Sequence, residues 1–152
     1  MNANINIQGS LPQLTEQNLS ELEQRTNIKL PEQYRNFLLK HNGGIPSPNR
    51  FKTLDGKVES MISNFLPIAA IEDDNLLEEI QGITQAELIP ENLIPIATEP
   101  GDDRLVLSVG GSDYGKIYYW AWEEEPKRNH KPSYKYIRLV ANSFDELLAL
   151  LY

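Results

Sequence analysis

The chain contains no cysteine among its 152 residues. That excludes disulfides, thiol nucleophiles and zinc–thiolate centres, and it is compatible with a reducing cytoplasm, the expected location. Histidine is almost as scarce, with only His41 and His130. No apolar run approaches the ~20 residues that span a bilayer, so no membrane partner is expected. The opening MNANINIQGS has neither a basic start nor an apolar core, so it is not expected to act as a secretory signal. Basic charge is missing from a long middle stretch. Between Val58 and Gly115 stand twelve of the 22 acidic residues and one of the 14 basic ones, Arg104. The net charge is −8. A field of that sign repels nucleic acid and attracts a basic protein, although the same charge also serves as a solubilising surface.

What is present suits one globular domain. Hydrophobic residues make up 40% and charged residues 24%, enough for a chain of this length to bury a real core. The most informative stretch is Leu30 to Gly44, LPEQYRNFLLKHNGG. Pro31 suits the first helical position and Glu32 the first turn. Tyr34, Phe37, Leu38 and His41 share one face at helical spacing, and Gly43 or Gly44 can take the left-handed conformation that stops a helix. Before it, Leu14, Leu19, Leu22 and Ile28 predict a first helix over Thr15–Thr26, capped by Thr15, ended by Asn27 and packed on Phe37 and Leu38. Residues 1–12 read as poorly ordered or, up to about Ser10, as an edge strand.

Beyond Gly44 the pattern turns to strands. Asp55-Gly56 lies between two extended runs, a type I′ hairpin signal, and Met61–Leu66 continues as a short strand. Asp73–Gln81 reads as a third helix with Leu76, Leu77 and Ile80 inside, Asp73, Asp74, Glu78 and Glu79 outside, and Gly82 as its stop. Ile94–Thr98 is a strand, and Pro100-Gly101-Asp102-Asp103 fits a type II turn. Leu105–Val109 and Lys116–Trp122 form a hairpin around Gly110, Gly111 and Gly115. In the second of these strands Ile117, Tyr119 and Ala121 alternate with Tyr118, Trp120 and Trp122. Both faces are apolar, which predicts a central strand covered by helices on at least one side. Tyr134–Val140 is the last strand. Ser143 opens a closing helix, with Glu146 completing a capping box and Phe144, Leu147, Leu148 and Leu151 as its buried stripe. The sum is α+β: a single domain with two N-terminal helices, an antiparallel sheet with an inserted helix, and a closing C-terminal helix.

The residues offer little chemistry. No serine sits in a nucleophile elbow, and Gly110–Gly115 matches neither a phosphate loop nor a dinucleotide fingerprint. His41 lies on an apolar helix stripe, as a core or cap residue does; His130 lies in a charged loop and reads as solvated. Glu99, Asp102 and Asp103 have a cation's ligand types without its spacing, and a polar turn explains them. Lys127, Arg128, Lys131, Lys135 and Arg138, beside Tyr134 and Tyr136, either touch phosphate or pair locally with Glu123, Glu124 and Glu125. No catalytic, metal or cofactor residue is assigned. Trp120 and Trp122 are core residues or, if that face is open, interface anchors.

Four blocks in order resemble the SUKH superfamily, which includes the yeast Smi/Knr cell-wall regulators and many bacterial immunity proteins. They are Glu23 with Leu30-Pro31, Tyr34, Phe37-Leu38 and Asn42-Gly43-Gly44; Ile94-Pro95-Ile96-Ala97 with Pro100-Gly101-Asp102 and Leu105; Gly115-Lys116-Ile117-Tyr118 with Trp120; and Ala141-Asn142-Ser143-Phe144 with Leu147-Leu148. Thr26 and Asn27 depart from the leucine and glycine usual before the Leu-Pro pair. The resemblance implies a non-catalytic protein that binds and neutralises a cognate toxin, often a nuclease. The acidic middle stretch independently fits a toxin with a basic surface, and a monomer or weak dimer is expected. The alternative it allows is a regulatory scaffold like the fungal relatives. The expected binding residues are Glu72, Asp73, Asp74, Glu78, Glu79, Glu99, Asp102, Asp103, Trp120 and Trp122.

Overall fold

The computed structural model describes residues 5–69 and 75–152. Helix α1 (Glu16–Thr26) starts from a reciprocal box in which the Thr15 hydroxyl accepts from the Asn18 N–H and the Asn18 side chain accepts from the Thr15 N–H. Two of the donors that every helix start leaves orphaned are thereby satisfied. Asn27 ends the helix in the left-handed conformation, φ 55°. The Glu23 carboxylate then holds the link to helix α2 (Glu32–Lys40). It accepts from the Leu30 N–H at 2.8 Å and from Arg35 Nε at 3.4 Å. Pro31 stands at the N-cap, one position before the helix proper. Tyr34, Phe37 and Leu38 are buried.

The main sheet has five antiparallel strands in chain order: β5 (Asn64–Phe65), β6 (Leu93–Thr98), β7 (Arg104–Ser108), β8 (Ile117–Trp120) and β9 (Ile137–Ala141). Two small antiparallel pairs flank it, β1 (Asn6–Gln8) with β2 (Ile45–Ser47), and β3 (Arg50–Lys52) with β4 (Glu59–Met61). Helix α3 (Leu76–Ala86) follows β5 in sequence and packs on β6 and α1. Helix α4 (Phe144–Leu150) closes the chain against β9 and α2.

Period-two alternation in the sheet sorts two cores. Leu105 and Leu107 of β7 and Ile117 and Tyr119 of β8 join the large core with Leu19, Leu22, Phe37, Leu38, Leu147 and Leu148 of the helices. At its centre Phe37, Phe65 and Phe144 meet with ring centroids 4.7 to 5.8 Å apart. Val106 and Trp120 face the other way, into a small second core with Leu88, Ile89 and Leu93. Tyr118 and Trp122 pack on its edge, and Ala121 on the large core, as the alternation predicts.

Several local expectations are corrected. Helix α3 runs Leu76–Ala86 with Asn75 as its cap, so Gly82 is inside it, not its stop. Gly43 and Gly44 do not stop α2, because His41 is already extended. Their positive φ, +73° and +122°, serves close packing: a Cβ on Gly43 would lie 2.9 Å from the Phe65 carbonyl, and one on Gly44 2.7 Å from that of Gln8. Asn42 beside them is buried and bonds Pro12 and Ile68 backbone, tying the N-terminal segment to the chain after β5. Asp55 is absent from the left-handed residues, so the β3–β4 connection is not type I′. The Asp55 carboxylate instead accepts from the Thr53 hydroxyl and the Lys57 N–H across a longer loop. At Pro100–Asp103 it is Asp102, φ +72°, and not Gly101 that turns left-handed. The reason is the Glu99 carboxylate, which accepts from the N–H groups of both Gly101 and Asp103. The last strand begins only at Ile137. Glu146 N–H donates to the Ser143 hydroxyl at 3.1 Å, while its side chain faces Asn142, so the closing box is half formed.

Candidate partner-binding face

Asn75 fixes one side of the face by capping α3, its side chain accepting from the Leu77 N–H at 3.0 Å. Leu76 and Ile80 then turn into the large core and Ile83 toward the small one. This leaves Glu78 exposed and Glu79 half-buried on the outer side. Glu79 Oε2 lies 3.7 Å from Arg104 Nε, and Asp102 Oδ1 lies 3.9 Å from Arg104 Nη1. The Arg104 guanidinium is also 5.6 Å from the centre of the Trp122 ring. One arginine thus joins the helix, the β6–β7 turn and the segment after β8.

Trp122 is half-buried and carries a second cation, the Lys127 ammonium, 4.1 Å from its ring centre. Lys127 also donates to the carbonyls of Trp122 and Glu125. Between Trp122 and α3 runs a groove of about 400 Å³ lined by Glu78, Glu79, Gly82, Ile83, Ala86 and Trp122. Apolar and acidic residues both line it.

The expected binding residues divide on this geometry. Glu78, Glu79, Asp102 and Trp122 share the face. Glu99 and Asp103 border it, but their carboxylates point into the fold. Besides the two N–H groups, Glu99 accepts from the Ser60 hydroxyl at 2.6 Å. Asp103 accepts from the Tyr119 hydroxyl and from the Glu123 N–H. Trp120 does not belong to the surface: it is fully buried in the second core, and its N–H donates to Glu125 at 2.9 Å. This settles Trp120 as core, because β8 turns its side chain under the loop that follows. Glu72, Asp73 and Asp74 lie outside the described residues.

Two organisers were not legible beforehand. Glu125 is 2% exposed; its Oε1 accepts from the Trp120 N–H, and its Oε2 lies 2.8 Å from His130 Nε2. His130 Nε2 is also 2.9 Å from the Leu88 carbonyl. His130 is therefore packed, not solvated, and among the described residues Glu125 pairs with it and not with a neighbouring lysine. Asp113 is the second. Its carboxylate accepts from Tyr118, Tyr134 and Ser108 at 2.7 to 2.8 Å. Burial pushes its pKa up, but these hydroxyls outweigh it and hold the group below the usual carboxylate range. His41 rests on Phe37, and burial followed by the Lys40 charge lowers its pKa. Among the described residues no three His, Asp or Glu side chains converge to hold a metal ion, and no helix is long and apolar enough to cross a membrane.

A helical hairpin and a closing helix laid on one five-stranded antiparallel sheet define a single α+β class. Residues 13–150 match the SMI1/KNR4 family (SUKH-1), and the chain belongs to that family. It is also 28% identical, over 153 positions covering 88% of this chain and 72% of the relative, to an uncharacterized SPbeta prophage-derived protein, YokK, of Bacillus subtilis (strain 168).

Proposed function

We propose that the protein is an immunity protein. It binds a cognate bacterial toxin of nuclease type and blocks it, acting by contact and not by catalysis, in the cytoplasm, as a monomer or weak dimer. Membership of the SUKH family supports this reading, and the prophage origin of the relative is compatible with such a cargo. The observation that carries it is the state of Arg104. It is the single base of the acidic stretch, its side chain is 16% exposed, and it is held by Glu79, Asp102 and Trp122. The face therefore offers carboxylates around an aromatic ring with its one native arginine already neutralised. Such a field speeds encounter with a basic nuclease surface and occludes the site where phosphate binds.

The test is co-expression and pull-down with the polypeptide encoded beside the gene. The expected result is rescue of growth and a complex that weakens between about 0.1 M and 1 M salt, where the screening length falls from about 10 to about 3 Å. If that polypeptide is toxic and the protein neither rescues nor binds, the immunity reading falls and a regulatory scaffold takes its place.

A further inference from the structure

We propose that the groove between α3 and Trp122 receives an arginine side chain of the protein partner. This rests on reading the face as a docking surface for a basic protein and names the anchor that surface takes. Gly82 is the first reason. A glycine inside a helix costs about 0.8–1.0 kcal/mol relative to alanine. Here it has no left-handed φ, and a Cβ added to it would meet nothing within 4 Å. Neither backbone conformation nor packing within the chain calls for glycine at this position. A side chain there would stand in the groove, so what its absence keeps open is the groove itself.

The lining then selects the occupant. Gly82, Ile83 and Ala86 make an apolar strip that suits the methylenes of a long side chain. The Trp122 ring at the far wall already draws two of the chain's own cations, Lys127 and Arg104. Glu78 on the near wall is exposed and, among the described residues, has no ion-pair partner. An aliphatic or aromatic anchor would bury the Glu78 carboxylate without pairing it, which is costly. A lysine would pair with Glu78, but its compact ammonium lacks the planar fork that meets the ring and the carboxylate together. Arginine satisfies all three walls: stem on the strip, plane against Trp122, fork toward Glu78.

The test titrates the full chain with N-acetyl-Gly-Arg-Gly-amide and follows amide and indole N–H resonances. The expected result is a saturable shift of the Trp122 indole and of the Gly82 and Ile83 amides, with a Kd in roughly the millimolar range for so small a ligand. The Trp120 indole, bonded to Glu125 inside the second core, stays in place and reports an intact fold. The matching glutamate peptide gives no shift. Gly82→Leu weakens the response about tenfold or more, and Gly82→Ala, which adds only a methyl, weakens it less. No saturable shift, an equal response to the glutamate peptide, or an unchanged response in Gly82→Leu overturns the inference. The two readings fail separately. A toxin complex that Gly82→Leu leaves undiminished removes the groove and keeps the immunity reading. Peptide binding without rescue does the reverse.

Discussion

The carboxylates of the sheet's loops and those of α3 carry the same charge and largely share one stretch of chain, yet they are held in different ways. Glu99, Asp103, Asp113 and Glu125 each accept hydrogen bonds from the fold around them. Their charge is spent on ordering turns and on satisfying buried donors. On α3, Glu78 and Glu87 are exposed, and Glu79 lies beside Arg104. Composition alone treats all seven as one acidic patch. The geometry separates them: of the seven, Glu78 and Glu87 turn their carboxylates to solvent, as does Asp102. The difference follows from what surrounds each acid. Hairpin turns leave unpaired N–H groups that a carboxylate within two to four residues can reach. In the first turn of α3 the donors are already taken, Leu76 N–H by the Pro67 carbonyl and Leu77 N–H by the Asn75 side chain, and the C-terminal end of a helix leaves carbonyls, which a carboxylate cannot accept from.

The largest expected loss of stability is at Glu125. Replacing it with alanine leaves the Trp120 N–H without an acceptor inside the second core and removes the partner of His130. A buried donor left unpaired, together with the vacated space, should cost about 3 kcal/mol. Urea unfolding followed by tryptophan fluorescence measures it. A loss below about 1 kcal/mol would mean that apolar contacts alone hold the Glu123–Pro132 loop over the sheet.

The same contrast between near and far partners decides how much could be read from sequence. The Thr15 cap, the Asn27 stop, the Ser143 start and the two-sided apolar pattern of Ile117–Trp120 are all set by residues within four positions of each other, and all are legible. The ends of α3 are not. Gly82 has poor helix propensity, but Leu76, Ile80 and Ile83 pack on either side of it and override that preference. Turn types fail for a related reason: the Glu99 and Asp55 side chains, and not the Pro-Gly or Asp-Gly pairs, select the conformation. His130 reads as solvated from sequence because its acceptor, the Leu88 carbonyl, lies 42 residues away. Of the candidate face, Glu78, Glu79, Asp102 and Trp122 could be named in advance. That Arg104 gathers them could not, since its contacts span three elements.

A smaller effect is expected at Asp113. Its folded pKa lies below the ordinary carboxylate value, so it stabilises the fold above about pH 4, its unfolded range, and that contribution is lost as pH falls through the folded value. Asp113→Asn should cost about 1 kcal/mol at neutral pH, because the charge-assisted bonds from Tyr118 and Tyr134 are weakened. The variant should then lose less further stability than the parent on acidification from about pH 6 to about pH 3. Urea midpoints across that range compare the two. Parallel curves would show that the hydroxyls bind the carboxylate no better than solvent does.

The smallest effect on stability, and the largest on binding, should come from α3. Glu78 sits in the first turn, where the helix dipole favours an acid, and Glu87 at the C-cap, where it favours a cation. In the double variant Glu78→Lys/Glu87→Lys the loss at one end is offset at the other, so unfolding free energy should change by no more than about 0.5 kcal/mol. The field facing the partner changes far more, because two carboxylates that pair with nothing in the described fold become two ammonium groups. Association with a basic toxin should slow about tenfold at low salt, with little change near 1 M salt, where screening removes the difference. Stopped-flow association at several salt concentrations measures both quantities. An unchanged association rate in a stably folded variant would move the docking surface off α3, to other exposed acids such as Glu123 and Glu124.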